Sequence, residues 1–377
     1  MLNYLPPYIL YPIATIVAAL ISMYSVRKIL FITRNHKIYD VPDDTRKIHG
    51  AEIPSLGGIG IFIGYILVAS LVWPGQLLPV NYFLPSTALL FFTGIYDDLM
   101  NMSPSKKLVA QLVASAITVY FADIRIVSLY GMFGIETLPY WVSLFITTIG
   151  CTLFINAFNF IDGIDGLACV TAILYMGIFG VLFASLDFKG VAWLAFSLAG
   201  GTAGLLTYNF SPAKIYMGDT GSMLLGFTVF ILGVLFVHVY AHPPLHGAIA
   251  GSSFIQSEAG AAMLLLSILF LPVYDALRVF ILRASRAKSP LRADRTHLHY
   301  YLLDAGFTHS QAVLIIVSIN VVIIGIALLM QAMSLALALM AMVAFTSLAL
   351  LIIYRLRQKN QKLNLQRKSA GVREMEV

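Results

Sequence analysis

Long, uninterrupted apolar runs constrain this chain more than any other feature. Runs of about 17 to 25 residues recur from one end to the other, long enough to cross a hydrocarbon core as helices. Barrel strands would alternate apolar and polar residues, and these runs do not. Only 11% of the 377 residues are charged and 59% are hydrophobic. A soluble domain is about one quarter charged, and too little polar surface remains here to cover a soluble α-protein. The expected fold is an all-α polytopic membrane protein of about eleven transmembrane helices. The spans are predicted near 8–31, 57–73, 82–96, 107–122, 139–157, 167–186, 191–208, 222–240, 260–282, 310–330 and 334–354. No cleavage site follows Ile9 to Ile32, so this segment reads as the first span and not as a signal peptide.

An odd number of spans puts the two ends on opposite sides of the bilayer. Lysine and arginine decide which end is inside. All but Arg125 and Lys189 of the 24 basic side chains lie on connections after odd-numbered spans, in the tail, or on adjoining helix ends. The N-terminus is therefore expected outside and the tail RLRQKNQKLNLQRKS in the cytoplasm, solvated and able to touch anionic lipid. Cys151 and Cys169, both in apolar context, suggest neither a disulfide framework nor a zinc site. No internal repeat supports a transporter built from two similar halves.

By this topology the polar segments all face the cytoplasm. They are YDVPDDTRKIHGAEIPSLGG (39–58), GIYDDLMNMSPSKKLVAQ (94–111), NAFNFIDGIDGLA (156–168), NFSPAKIYMGDTGS (209–222) and RASRAKSPLRADRTHLHYYLLDAGF (283–307). The outer connections, such as WPGQLLPVN and SLDFKG, are bland by comparison. A pump would more often place ionisable groups at mid-span, and the mid-span residues here are almost all apolar.

Asp97 and Asp98 close an otherwise apolar span. Adjacent helical residues point about 100° apart, so both carboxylates cannot address one point in the same way. One is free to face a substrate while the other orients a neighbour or shares a metal; solvated acids capping the next helix are the alternative. Lys106 and Lys107 sit where lysine opposes a helix dipole, and a phosphate partner would explain them. Asn156, Asn159, Asp162 and Asp165 recur every third residue, a row that drifts by about 60° per step on an ideal helix. Gly163 and Gly166 loosen the helix, which lets the row curl around a ligand. Its oxygens are hard ligands suited to Mg2+ or Mn2+ and suit a ribose or base as well; a turn of Asx caps is the bland alternative.

Asp219 is the single acid of the turn MGDTGS, ahead of Thr220 and Ser222. It is placed to bind a metal beside a helix N-terminus that favours phosphate, or to cap that helix. Arg286, Lys288, Arg292, Arg295, His297 and His299 form a basic segment able to grip an anion through forked arginine hydrogen bonds. Without thiolates, zinc is not expected. These are the ingredients for metal-assisted transfer between a nucleotide diphosphate and a lipid phosphate. No nucleic-acid partner is expected.

The five segments, in this order over about residues 8 to 355, resemble the polyprenyl-phosphate N-acetylhexosamine-1-phosphate transferases. The resemblance implies joining a UDP-amino-sugar to undecaprenyl phosphate in the bacterial cytoplasmic membrane, with release of UMP. Mg2+ is the implied cofactor, Mn2+ the alternative. It makes Asp97 and Asp98 the paired catalytic acids, with Lys107 and Gln111 the lysine and glutamine downstream. Asp219 becomes the metal ligand with Asn159 beside it. Asp162 and Asp165, with Asn156 in the same row, become nucleotide-sugar contacts. Arg295, His297 and His299 become the loop that grips the donor. Lys47 or His49 holds phosphate from the first cytoplasmic loop. Residues 1–355 then form a single integral-membrane catalytic domain and 356–377 a basic cytoplasmic tail.

DRTHLHYYLLDAG is similar to the H-x-H-H-x-L-L form of the GlcNAc-1-phosphate branch, with Tyr300 in place of the third histidine. The product would begin a cell-envelope glycan such as O-antigen or a teichoic acid linkage. The alternatives are a phospho-MurNAc-pentapeptide transferase and a non-enzymatic lipid transporter. Family members are often dimers, so a second copy of the chain counts among the expected partners.

Overall fold

The computed structural model describes residues 6–38, 53–71, 79–241, 255–286 and 295–375. Each apolar run is helical. In chain order the helices are α1 (Pro7–His36), α2 (Gly57–Ala69), α3 (Val80–Met100), α4 (Pro104–Phe121), α5 (Tyr140–Ile161) and α6 (Leu167–Ser185). They continue with α7 (Lys189–Asn209), α8 (Gly218–Ala241), α9 (Glu258–Ala284), the short α10 (Leu298–Asp304), α11 (His309–Leu329) and α12 (Leu335–Met375). The described residues hold no β-strand, only an isolated antiparallel bridge from Ser128 to Thr137 between α4 and α5. This is an all-α polytopic membrane architecture. Eight helices (α1, α5 to α9, α11 and α12) are long and apolar enough to cross a bilayer. At 13 residues, α2 stops short of the expected 57–73. Polar residues are spread along α3 and α4, and these meet: Thr118 donates to Ser86 Oγ at 2.8 Å.

Local sequence explains the breaks. Asn101 adopts the left-handed conformation that ends α3, and Pro104 opens α4, where its missing N–H costs nothing. Thr308 and Gln311 form a capping box at the start of α11. The basic residues from 356 onward continue α12 as one helix, and the first of them dock on α10. Arg357 pairs with Asp304 at 2.8 Å, and Asn360 donates to the Asp304 carbonyl at 3.0 Å.

The central pillar is α8. Inside the protein, 89% of its apolar window is buried, against 33% for α1 and 22% for α12. Lipid offers no hydrophobic drive between helices, so close packing by small residues does much of the assembly. Gly60 and Gly64 of α2 lie against α1, and Gly200 and Gly204 of α7 lie against α1 from the other side. A Cβ at Gly200 would come within 2.2 Å of the Thr15 carbonyl oxygen. Polar glue adds to this: Trp193 Nε1–H donates to the Val68 carbonyl at 2.8 Å, and Tyr175 OH donates to Asn320 Oδ1 at 2.7 Å. A second apolar cluster joins α9, α10, α11 and α12 with Ile164 and Leu167. This packing places the ends of α3, α5 and α9 and the starts of α4, α6 and α8 at one pole of the bundle.

Candidate active site

At that pole Lys107 Nζ lies 3.1 Å from Asp97 Oδ2 and 2.6 Å from Asp219 Oδ2. Asn159 donates to Asp219 Oδ1 and, at 2.8 Å, to Ser222 Oγ. The Met102 N–H donates to Asp97 Oδ1 at 2.6 Å, so the turn after α3 holds this carboxylate still. Three of the five expected segments thus meet around one ammonium group.

Asp98 points elsewhere, as its offset on the helix requires. It accepts from the Asp219 N–H at 2.7 Å, the Thr220 N–H at 3.0 Å and the Thr220 hydroxyl at 2.5 Å. The first amides of a helix lack intrahelical partners, and here a side chain from α3 satisfies them. Asp219 does not cap its own helix. Asp98 does so, and the Asp219 carboxylate remains free for Lys107 and Asn159.

The start of α8 is wedged between backbones. A Cβ on Gly58 would lie 2.1 Å from the Gly221 nitrogen, and one on Gly94 would lie 2.4 Å from the Thr220 Cα. Gly218 has φ +74, the left-handed region, and a Cβ there would lie 2.0 Å from the Ser55 carbonyl oxygen. The IPSLGG stretch pairs with this turn: the Tyr216 N–H donates to Pro54 O at 2.9 Å and the Gly58 N–H to Met217 O at 2.8 Å.

Asp162 closes α5 and accepts from the Gly218 N–H. Burial first, then Asp219 and Asp98, raise its proton affinity well above the usual carboxylate range. Asp165 behaves oppositely. Burial works against its charge, but His309 and the Ala213 N–H outweigh that and hold it below the usual range. The Ala213 N–H donates to it at 3.1 Å, and His309 Nδ1 lies 3.4 Å away. Asn156 sits one turn behind the meeting point and donates to Gln111 Oε1 at 2.6 Å and to the Thr152 carbonyl at 2.8 Å.

Sequence reasoning missed Asn209, a lone amide closing α7. Its Oδ1 accepts from the Gly166 N–H at 3.0 Å and its Nδ2 donates to the Ile215 carbonyl at 2.9 Å, stapling two site loops together. Replacing it with alanine strands buried backbone groups, so Asn209→Ala is expected to cost about 2 kcal/mol of stability. A thermal unfolding midpoint unchanged from the parent would refute this.

His299 is 2% exposed and lies on Gly163, where a Cβ would come 2.2 Å from its Nε2. Burial pushes it down to about 3, so it is neutral near pH 7. Its ring is parallel to that of His297, with centroids 5.7 Å apart. Tyr300 packs on His299 at 4.2 Å and lies under the Arg295 guanidinium at 5.2 Å. Arg295 also reaches Asp304 at 3.4 Å. His297 Nδ1 is 2.8 Å from Asp275 Oδ2 of α9, and Arg278 pairs with the same carboxylate at 2.7 Å. Asp275, inside the expected span 260–282, is an exception to its almost wholly apolar mid-span residues, and it is 5% exposed. An acid and a base spaced i,i+3 late in an apolar span was the signal available for it. Lys47 and His49 lie outside the described residues.

No cluster of three or more His, Cys, Asp or Glu side chains suited to a metal occurs among the described residues. Asp97, Asp219 and Asn159 nonetheless surround a point where the Lys107 ammonium already balances two carboxylates. A half-turn of the Asn159 amide exchanges its NH2 for its carbonyl oxygen at the same place. Mg2+ takes one or two carboxylates and completes its shell with water and substrate phosphates, so this donor set fits it.

Residues 80–237 match the family described as Glycosyl transferase family 4. The chain is 31% identical over 292 residues to a decaprenyl-phosphate N-acetylglucosaminephosphotransferase of Mycolicibacterium smegmatis, covering 72% of this chain and 70% of that protein. It is 28% identical over 286 residues to the undecaprenyl-phosphate alpha-N-acetylglucosaminyl 1-phosphate transferase of Escherichia coli K12, covering 72% and 71%.

Proposed function

The chain belongs to the polyprenyl-phosphate N-acetylhexosamine-1-phosphate transferases, glycosyl transferase family 4, and from that premise we propose that it transfers GlcNAc-1-phosphate from UDP-GlcNAc to undecaprenyl phosphate. The observation that carries this reading is the ammonium of Lys107 shared by Asp97 and Asp219, with Asn159 alongside, where several helix ends meet. Such a site matches a diphosphate and a phosphate that must approach each other against their charge.

In the proposed reaction an oxygen of the lipid phosphate attacks the β-phosphorus of UDP-GlcNAc. The bond from that phosphorus to the bridging oxygen breaks, and its electron pair leaves with UMP. Asp97 positions the acceptor phosphate and takes its proton where it carries one; Asp98, engaged by α8, serves to place Asp219. Lys107 offsets charge on the phosphates. Asp219 and Asn159 would hold Mg2+, which when bound polarises the phosphoryl oxygens. Asp162 and Asp165 face the nucleoside, and the Arg295–His299 loop grips the sugar diphosphate. Positioning and charge stabilisation together are the general logic of phosphoryl transfer. The eleven crossings, the N-terminus outside and this pole at the cytoplasmic face belong to the same proposal, supported by the distribution of lysine and arginine.

The test is one assay with purified protein, undecaprenyl phosphate, UDP-GlcNAc and Mg2+. UMP and lipid-linked sugar diphosphate are expected in equal amounts. Chelation by EDTA should abolish both, and added Mg2+ should restore them. Product formed only from UDP-MurNAc-pentapeptide would move the chain to the peptidoglycan branch, and UMP released without lipid would overturn direct attack.

A further inference from the structure

α9 carries a buried ion pair that the reaction above does not use. Asp275 accepts from the Leu298 N–H at 3.1 Å as well as facing His297 Nδ1 at 2.8 Å. Arg278 Nη2 donates to Asp275 Oδ1 at 2.7 Å and to the Thr296 carbonyl at 2.5 Å, and its guanidinium lies over the Tyr301 ring at 5.1 Å. His297 stands at the N-cap position of α10 in extended conformation and makes no side-chain cap of its own. The first amide of α10 is therefore held from α9. A buried acid in an apolar helix is costly unless fully paired, and among the described residues Asp275 is paired by Arg278, His297 and the Leu298 N–H.

We propose that Asp275 and Arg278 are the positioning pair of the donor-gripping histidine loop, acting through His297 and the Thr296 carbonyl. The carboxylate draws the His297 proton to Nδ1 and leaves Nε2 as the atom offered to a ligand. His297 also packs on Phe160, with ring centroids 5.5 Å apart, which ties the loop to the helix that carries Asn159. Because the His299 ring stacks parallel to it, fixing His297 also holds His299 over Gly163, beside Asp162. That the loop grips the sugar-nucleotide rests on the functional reading above; that the pair orders the loop does not.

The experiment uses the full chain in lipid nanodiscs. Asp275→Asn keeps the shape and an acceptor for Leu298 but removes the charge. It is expected to raise the KM for UDP-GlcNAc about tenfold, with the KM for undecaprenyl phosphate within about twofold. Combined with His297→Asn, it should add nothing to the loss caused by His297→Asn alone, since a residue acting through another is not additive with it. Amide hydrogen exchange should speed up over residues 295–304 in both Asp275→Asn and Arg278→Gln and stay unchanged over 97–111. Asp275→Glu, which keeps the charge, should recover part of the donor KM. Unaltered exchange at 295–304, losses that multiply in the double variant, or an equal rise in the lipid KM would each overturn the proposal. The exchange measurement needs no substrate, so it judges the clamp even if the parent chain rejects UDP-GlcNAc.

Discussion

Replacing Asp219 with alanine is expected to lower the rate of UMP release by about 100- to 1,000-fold, the scale seen when one preorganised charge-stabilising group is removed. Asp219 joins Lys107 to Asn159, and no other described side chain does so. Without it Lys107 keeps only Asp97 among the described carboxylates, and the site loses the carboxylate that would hold a divalent ion. The fold should survive. Asp98 bonds the backbone nitrogen of residue 219 and the Thr220 groups, none of which the substitution removes. The check is kcat alongside the thermal unfolding midpoint. A variant that keeps more than a tenth of parent activity would show that Asp219 does not face the reacting phosphates.

Gly218→Ala should act in the opposite order, on structure first and on rate as a consequence. An alanine at φ +74 costs about 1 to 2 kcal/mol. Its Cβ would also lie 2.0 Å from the Ser55 carbonyl oxygen and within 2.8 Å of both Asp98 carboxylate oxygens. Overpacking of that kind costs a further 1 to 3 kcal/mol or so, for a total of about 3 kcal/mol. Relief requires moving the IPSLGG backbone or the Asp98 cap, and either displaces Asp219. The variant should show a clearly lower unfolding midpoint and little remaining transfer at temperatures where it is still folded. A parent-like midpoint would mean that the turn relaxes without strain.

Much of the candidate site was legible because polar residues at the ends of apolar runs stand out locally. Asp97, Lys107, Asn159 and Asp219 were all found that way, and they do converge. Their division of labour was not legible. The rotation between Asp97 and Asp98 predicted different roles, yet nothing in the local sequence tells which carboxylate turns toward α8. Asp98 caps a helix 121 residues away, and only the packing of α3 against α8 makes that contact. Asn209 and Asp275 were missed for the same reason. Neither stands out at its place in the chain, and what they do depends on groups brought in from elsewhere: Gly166 and Ile215 for Asn209, His297 and Leu298 for Asp275.

The sequence by itself determined that this chain is a bundle of membrane helices, where those helices lie, and which short segments gather its polar side chains. Hydrophobic length and helix punctuation are properties of contiguous residues, and lipid leaves the backbone few alternatives to the helix. Only the tertiary structure decided that Asp97 and Asp219 share one lysine, that Asp98 holds α8 in place, and that α9 grips the histidine loop. Those outcomes depend on how closely glycine-lined helices approach and on the direction each side chain takes at the contact, which no single stretch of sequence contains.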